Sequence, residues 1–238
     1  MKKDIILHKV QSQILKSLIF KAGESFNKLN ETKVSTDSFT FHLKSLVEAG
    51  LVKQENAKYF LTASGKEFAN RLDVDNANVQ VEKQAKIGVL IFAIKKDPPT
   101  NGGQVKYLLQ QRLKHPYFGY YGGVGGKLKI GEKITTAAKR EFKEETGLTG
   151  KLDFCGINHK TDFSNQKELL EDKIFFVFKA TDLKGNFIEQ FQGGKNIWFS
   201  LTEMKKLDKL FPDVLDKIKM VEGRGEFFSE NQYFVDEF

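Results

Sequence analysis

A single cysteine, Cys155, occurs among the 238 residues, so the chain cannot form an internal disulfide. Its place in the apparent strand 152–157 is typical of a buried structural thiol rather than of a nucleophile. No apolar run approaches the roughly eighteen residues that a membrane span needs, and the first residues lack the apolar segment of a secretory signal. We therefore expect a cytoplasmic protein.

The sequence also lacks a P-loop and any cluster of histidines and cysteines. Around the glycine-rich stretch 122–127, Tyr121 and Leu128 stand where a P-loop requires its first glycine and its Ser or Thr. Without clustered His or Cys, a metal site in this chain would use oxygen ligands. That choice of ligand favours Mg²⁺ or Mn²⁺ over zinc.

Apolar residues and charges of both signs are plentiful. Hydrophobic residues make up 40% of the chain, with 22 phenylalanines, and charged residues 29%, a composition that predicts globular domains rather than disorder. A length of 238 residues suits two compact domains. The formal charge of +7 suits contact with polyanions, but it does not choose between nucleic acid and phosphorylated small molecules.

A polar, aperiodic stretch at 73–80 predicts a boundary between one domain at 1–77 and another at 78–238. The sequence of the first domain predicts five elements in order: a first helix, a short second helix near 25–30, a third helix, a hairpin at 51–62 and a closing helix at 64–72. Ser35 or Thr36 can cap the third helix, and Gly50 can end it. The apolar stripes predicted for the first and third helices are Leu7, Val10, Ile14 and Leu18, and Phe39, Leu43, Leu46 and Val47.

This order of elements resembles a winged helix-turn-helix, and the stretches 41–52 and 59–65 are similar to ArsR- and MarR-like regulators. The resemblance implies a small, mainly α domain that binds double-stranded DNA through its third helix and its wing. The residues that would face DNA are Thr36, Ser38, Thr40 and Lys44 on the helix and Lys53 and Lys58 on the wing. The alternative is that this domain forms a homodimer or packs on its neighbour, since Asp37 would repel phosphate.

The second domain mixes strands and helices. Strands are predicted at 87–94, 105–112, 152–157 and 173–179, with a helix at 132–146 between the second and third of them. That order predicts an α/β sandwich.

The helix at 132–146 carries three carboxylates beside its apolar stripe. Glu141 and Glu145 continue the stripe formed by Ile134, Ala137, Ala138 and Phe142, and Glu144 lies beside them. A solvated acidic face would place its glutamates opposite the apolar stripe. Crowded, partly buried carboxylates raise one another's pKa unless a cation compensates them. The pattern therefore predicts a site for Mg²⁺, with Mn²⁺ as the alternative ion.

The spacing from Gly126 to Leu148 resembles the Nudix box at every fixed position: Gly126, Glu132, Arg140, Glu141, Glu144, Glu145 and Gly147, with Phe142 and Leu148 at the two apolar positions. The resemblance implies an α/β/α sandwich with a mixed sheet that hydrolyses a nucleoside diphosphate linked to another moiety. It implies that Glu141, Glu144 and Glu145 bind the metal, with the Gly126 carbonyl as a further ligand. It also implies that Arg140 and Glu132 hold the helix and its loop in place.

Outside the box, the stretches 123–132, 198–201 and 211–213 resemble the MutT-related oxidised-purine nucleoside triphosphatases. That resemblance implies that Phe211 stacks on a base and that Asp213 bonds its edge, with Tyr121 and Lys127 as further substrate contacts. Gly122 replaces the asparagine that reads the base in that group. Core packing is the alternative role for Trp198 and Phe211.

Two hypotheses from different classes follow for the whole chain. In the first, it is a Mg²⁺-dependent hydrolase that cleaves a nucleoside triphosphate to the monophosphate and diphosphate. In the second, it is a DNA-binding transcription regulator that senses a nucleotide through its Nudix domain. The intact set of glutamates favours hydrolysis, because a sensor does not need three metal-binding carboxylates.

Overall fold

The computed structural model describes residues 7–21, 23–30, 34–69, 84–98 and 102–235. It divides into two compact units, residues 1–83 and 84–238. The boundary predicted between residues 77 and 78 lies outside the described residues, as does the end of the helix predicted at 64–72. Among the described residues, no helix is both long and apolar enough to cross a membrane.

In its described residues, the first unit combines four helices with a small antiparallel sheet, in the order that the sequence predicts. Its elements are α1 (Lys9–Ile19), β1 (Glu24–Ser25), α2 (Phe26–Leu29), α3 (Thr36–Glu48), β2 (Val52–Glu55), β3 (Lys58–Leu61) and α4 (Ala63–Ala69). The sheet order is β1-β3-β2. The two-residue strand β1 was not predicted, because two residues are too few to show a strand period.

One apolar cluster joins the helices of this unit. Val10, Ile14 and Leu18 of α1 pack with the buried stripe of α3. Ser35 caps α3 by accepting a hydrogen bond from Ser38 N at 3.4 Å. The stripe prediction is wrong at one position, since Val47 is 39% exposed. Val47 lies about 100° around the helix from the buried Leu46, which turns it towards solvent.

The second unit is built on a large mixed sheet. Its elements are β4 (Lys86–Lys96), β5 (Val105–Arg112), β6 (Tyr121–Gly122), β7 (Val124–Lys127), α5 (Ile134–Thr146), β8 (Leu148–Phe163), β9 (Leu169–Gly185), β10 (Gln190–Phe191), β11 (Gly194–Phe199), α6 (Leu201–Met204), α7 (Val214–Val221) and β12 (Phe228–Phe234). The strand order is β10-β11-β5-β4-β9-β8-β12, with β6 paired to β5 and β7 paired to β4. The β4–β9 and β8–β12 pairs are parallel, and the remaining pairs are antiparallel.

The central strand β4 shows how the sheet separates two helical layers. Val89 and Ile91 pack in one cluster with Ala138 and Phe142 of α5. Phe92, between Ile91 and Ala93, points to the opposite cluster, which contains Ile218 of α7. Successive side chains of a strand point to opposite faces, so this alternation buries both faces of the sheet. The predicted α/β/α arrangement with a mixed sheet is confirmed for this unit.

Helix α5 begins two residues later than predicted, at Ile134. Glu132 is drawn into the preceding turn, where its carboxylate accepts a hydrogen bond from Lys129 N at 3.2 Å. The helix ends at Gly147, whose φ of 72° is the left-handed conformation that glycine adopts at helix ends. Both strands predicted after it, 152–157 and 173–179, are the middles of the longer strands β8 and β9.

Candidate active site

The carboxylate of Glu141 lies directly against the backbone of Gly126. A Cβ added at Gly126 would overlap the carboxyl group of Glu141, so only glycine leaves room for it here. Strand β7 places Gly126 opposite Val89 of β4, and helix α5 places Glu141 above the same strand. The close approach brings a backbone carbonyl and a carboxylate into one small region.

The Arg140 side chain donates hydrogen bonds to three carboxylates, those of Glu132, Glu141 and Glu144. Its Nε donates to Glu132 Oε1 at 2.8 Å and its Nη2 to Glu132 Oε2 at 2.9 Å, a two-point contact that fixes both groups. Its Nη1 donates to Glu141 at 2.7 Å and to Glu144 at 3.3 Å. The Arg140 bond lowers the pKa of Glu132 to about 2. The predicted positioning pair therefore exists and also orients Glu141.

Glu145 faces the pocket from the last turn of α5. Its Oε2 accepts a hydrogen bond from Gln110 Nε2 at 3.0 Å, and Asn196 Nδ2 donates to the backbone carbonyl of Glu145 at 2.8 Å. Burial raises the pKa of Glu145, and the neighbouring Glu141 carboxylate raises it further. A cation beside this carboxylate would offset both effects.

The predicted convergence of three carboxylates is only partly present. Glu141 and Glu145 both line the pocket, whereas the Glu144 side chain is 57% exposed and contacts Arg140. At about 100° per residue, Glu144 lies about 160° around the helix from the buried Phe142, while Glu145 lies about 60° from it. Within the described ranges, no group of three or more His, Cys, Asp or Glu is arranged to hold a metal ion.

The donor set nevertheless fits a hard divalent ion. Two carboxylates and a glycine backbone meet at one end of the pocket, and the half-buried Glu145 has an amide rather than a cation as its hydrogen-bond partner. Oxygen ligands of this kind suit Mg²⁺, which usually keeps several waters. Glu144 can supply a third carboxylate only if its side chain turns away from Arg140.

The pocket beside these carboxylates has a volume of about 530 Å³, within the usual range for small-molecule sites. Of the residues predicted to bind substrate, Lys127, Phe211 and Asp213 line it. Tyr121 does not line it, because its ring packs edge-on against Phe199 in the apolar cluster beneath α7. Trp198 packs with Phe187 in the cluster beneath α5, which supports the alternative role of core packing.

The end of the pocket around Phe211 is lined by buried charges, of which only Asp213 was predicted. Lys217 forms an ion pair with Asp213, and Lys160 lies 3.1 Å from Asp162 and 4.0 Å from Asp213. Tyr117 donates a hydrogen bond to the other oxygen of Asp162 at 2.6 Å. Asp213, expected to bond a base, is thus already paired with lysines.

A sequence signal for these residues exists. Lys160 and Asp162 are two residues apart in β8, Glu171 and Lys173 are two apart in β9, and Gln110 and Arg112 are two apart in β5. Polar side chains at this spacing point to one face of a strand. A polar pair that interrupts an apolar strand at this spacing is a sign of a lined cavity.

A comparison with protein-family models finds a match to the NUDIX domain over residues 86–221, more than half of the chain. The chain belongs to the Nudix family. Its Nudix domain contains the carboxylates on α5, the glycines of β7 and the charged pocket described above.

Individual relatives of this Nudix protein are distant. It is 33% identical over 97 residues to the oxidized purine nucleoside triphosphate hydrolase of Danio rerio, a match that covers 41% of this chain and only 60% of that protein. It is 25% identical over 122 residues to an uncharacterized Nudix hydrolase of Bacillus subtilis, with 48% and 72% of the two chains covered.

Solved structures with similar Nudix domains include a MutT protein from Bacillus halodurans, at 25% identity and a TM-score of 0.48, covering 63% of this chain and 90% of that one. Another is the NUDIX domain of Shewanella oneidensis NrtR complexed with ADP ribose, at 19% identity and a TM-score of 0.48, covering 69% and 99%. The family assignment rests on the domain match.

Four of the six positions predicted to contact DNA are exposed: Thr36 and Lys44 on α3, and Lys53 and Lys58 on the β2–β3 hairpin. Ser38 and Thr40 are half-buried. Lys53 forms an ion pair with Glu55 at 2.8 Å. The winged-helix assignment and DNA binding stay predictions.

Proposed function

We propose that this Nudix protein hydrolyses a phosphoanhydride bond in a nucleoside diphosphate-linked substrate, with Mg²⁺ as its cofactor and Mn²⁺ as a substitute. The observation that carries the proposal is the pair Glu141 and Glu145, which face one pocket beside the glycines of β7. A nucleoside triphosphate, cleaved to the monophosphate and diphosphate, is the first candidate within this class. The Danio rerio relative is named as an oxidized purine nucleoside triphosphate hydrolase.

Each residue near Gly126 has a role in this proposal. Glu141, Glu145 and, after turning inward, Glu144 would hold the ion, with the Gly126 carbonyl beside them. The bound ion would neutralise charge on the phosphoryl oxygens and lower the pKa of an attacking water. Arg140, anchored by Glu132, keeps Glu141 in place, and Lys127 at the pocket mouth would pair with a phosphate oxygen.

Glu145 is the group we propose to accept the proton of the attacking water. Its carboxylate lies in the pocket beside the position proposed for the ion, where an attacking water held by that ion would also lie. Gln110 holds one of its oxygens, which leaves the other directed to a ligand.

Recognition of an oxidised purine by Phe211 and Asp213 would extend this proposal. Both residues line the pocket. Their surroundings limit that role, because Lys217 pairs with Asp213 and the ammonium of Lys160 lies 5.0 Å from the centre of the Phe211 ring. A purine held here would have to displace Lys160 from the ring.

The test is a substrate panel with the purified full chain and Mg²⁺: nucleoside triphosphates, ADP-ribose, NADH and dinucleoside polyphosphates, with products separated by ion-exchange chromatography. We expect cleavage within the diphosphate of at least one substrate, and its loss in Glu145→Gln. Absence of turnover on every substrate, or equal turnover by Glu145→Gln, would contradict the proposal.

A second candidate function, nucleotide-sensitive DNA binding, is supported by one observation on the first unit. Helix α3 buries Phe39, Leu43 and Leu46 while Thr36 and Lys44 remain exposed, as a recognition helix requires. Selection from random duplexes, followed by titration at several salt concentrations, tests it. Replacing Lys44, Lys53 and Lys58 with alanine should reduce the slope of log affinity against log salt by about three. An unchanged slope, or no selected sequence, would contradict DNA binding.

A further inference from the structure

The end of the pocket around Phe211 and Tyr117 is lined by three lysines that we call the inner lysines: Lys160 of β8, Lys173 of β9 and Lys217 of α7. Lys160 is 5% exposed and Lys217 is 3% exposed, and the Lys173 side chain is 22% exposed. The acids that oppose them are Asp162, Glu171 and Asp213, all of which are buried. Enclosing this many charges is costly unless they are paired with one another or with a ligand.

Pairing inside the protein accounts for only part of the positive charge. The inner lysines pair with the three acids, but Glu171 is shared by Lys173 and by Lys86, whose Nζ lies 2.8 Å from it. Arg112 also lines the pocket, and its side chain donates a hydrogen bond from Nε to the Pro116 carbonyl at 3.0 Å. Seven lysines and arginines line the pocket against four carboxylates, so the wall has an excess of positive charge even before a metal binds.

The aromatic ring expected to stack on a base is already covered. The Lys160 ammonium lies over the Phe211 ring, 5.0 Å from its centre. Tyr117 meets the ring nearly edge-on at 5.2 Å and Tyr120 lies tilted against it at 5.1 Å. A Cβ on Gly122 would come 3.0 Å from the ring, so the backbone of β6 also lies close to it. An uncharged base would have to displace the cation, whereas an anionic group could pair with it in place.

We propose that the inner lysines bind a second anionic group of the substrate, so that the substrate is a nucleoside diphosphate-linked compound carrying a further phosphate or carboxylate outside the scissile diphosphate. This inference rests on the proposed function for the position of that diphosphate, beside Glu141 and Glu145. Lys160 and Lys173 donate hydrogen bonds to oxygens of the second group. Burial lowers the pKa of Lys173, and a bound anion there would favour its charged form.

The test compares pairs of compounds that differ in one anionic group. NADPH and NADH differ by one phosphate, and UDP-glucuronate and UDP-glucose differ by one carboxylate. Dissociation constants are measured by calorimetry in Ca²⁺ and kcat/KM in Mg²⁺, with the full chain. In at least one pair we expect the member with the additional anionic group to be favoured about tenfold or more, and the favoured pair identifies the group as phosphate or carboxylate.

The variant Lys160→Met should reduce this preference to about threefold or less while changing binding of the member without the additional anionic group by no more than about twofold. Since this change leaves Asp162 without its lysine, the charge-balanced double variant Lys160→Met with Asp162→Asn is measured beside it, with the same expectation. Lys195→Met, an exposed lysine of β11 outside the pocket, is the matched control and should keep the full preference.

Equal binding of both members of each pair by the wild-type chain would overturn the inference, as would an equal loss for both members in the double variant. These outcomes are separate from failure of the proposed function. A chain that prefers the members with the additional anionic group in Ca²⁺ but hydrolyses nothing would refute hydrolysis and support the anion site. A chain that hydrolyses nucleoside triphosphates but shows no preference within the pairs would support hydrolysis and refute the anion site.

Discussion

The two ends of the pocket are built in different ways. At one end, Glu141 and Glu145 come from two adjacent turns of a single helix, and Arg140 on the same helix holds the first of them. At the other end, the inner lysines and their acids come from β8, β9 and α7, far apart in the chain. The helix end is formed by residues close together in the sequence, whereas the lysine end is assembled from distant residues and is buried. We expect substitutions at the first to affect catalysis and at the second to affect stability.

The largest expected effect is on catalysis at the helix end. Glu145→Gln should lower kcat by about 10³-fold or more, because it removes a charged oxygen that would hold the ion and accept the proton. Since burial raises the pKa of Glu145, the neutral amide should leave the free energy of unfolding at pH 7 equal to or above that of the wild type. Steady-state kinetics and urea unfolding measure both. A normal kcat in Glu145→Gln would contradict a catalytic role for the helix end of the pocket.

At the lysine end the expected change is in stability. Lys217→Met should lower the free energy of unfolding by about 3–5 kcal/mol, because it leaves Asp213 buried without its closest cation. Urea unfolding in the absence of ligands measures this loss.

The control is the double variant Lys217→Met with Asp213→Asn, which removes both charges and should recover most of the lost stability. If Lys217→Met were as stable as the wild type, the buried ion pair would have no structural role.

A smaller effect is expected for the positioning residue. Arg140→Gln breaks the two-point contact with Glu132 and the bond to Glu141, and it should lower activity about 10–100-fold, chiefly by weakening Mg²⁺ binding. The Mg²⁺ concentration for half-maximal rate should therefore rise. Arg224→Gln, whose arginine pairs only locally with Glu222, is the matched control and should behave as the wild type. An unchanged Mg²⁺ requirement in Arg140→Gln would contradict the positioning role.

The smallest effect concerns a partly exposed charge cluster that joins β8, β9 and β12. The His159 Nδ1 atom lies 3.1 Å from Glu230 Oε1, and its Nε2 atom lies 3.0 Å from Asp172 Oδ1. These two carboxylates raise the pKa of His159 above 6.5. The stabilisation is fully present below the unfolded value near 6.5 and is lost as pH rises through the higher folded value. Because the cluster is exposed, the loss should be under about 1 kcal/mol. Urea unfolding between pH 5.5 and 8.5 should show it in the wild type and not in His159→Gln.

The sequence predicts well what depends on neighbouring residues. The positions of Glu141, Glu145 and Arg140 followed from helical spacing, and the glycines before the helix from the box. The same reasoning placed Glu144 with the other two, although its side chain is turned to solvent. A difference of one residue turns a side chain by about 100°, which is enough to move it off the pocket wall.

What the sequence did not predict depends on pairing between distant strands. Lys160 reaches the pocket because β8 pairs with β9, and Lys217 reaches it because α7 packs across the sheet. The motif allowed Asp213 to be placed near the substrate, but it did not predict the ion pair between Asp213 and Lys217. That pair depends on helix α7 starting at Val214, which places Lys217 one helical turn after Asp213. The half-buried Cys155 was predicted in its strand, and burial raises its pKa, which keeps the thiol protonated.

The most direct test of the central claim is the rate of hydrolysis of the best substrate as Mg²⁺ is added back to protein freed of metal with EDTA. We predict no turnover without metal, a saturable rise with Mg²⁺, and a weaker and slower rise in Glu145→Gln. Turnover that continues in EDTA, or curves that are the same for both proteins, would contradict a metal-dependent hydrolase site on α5.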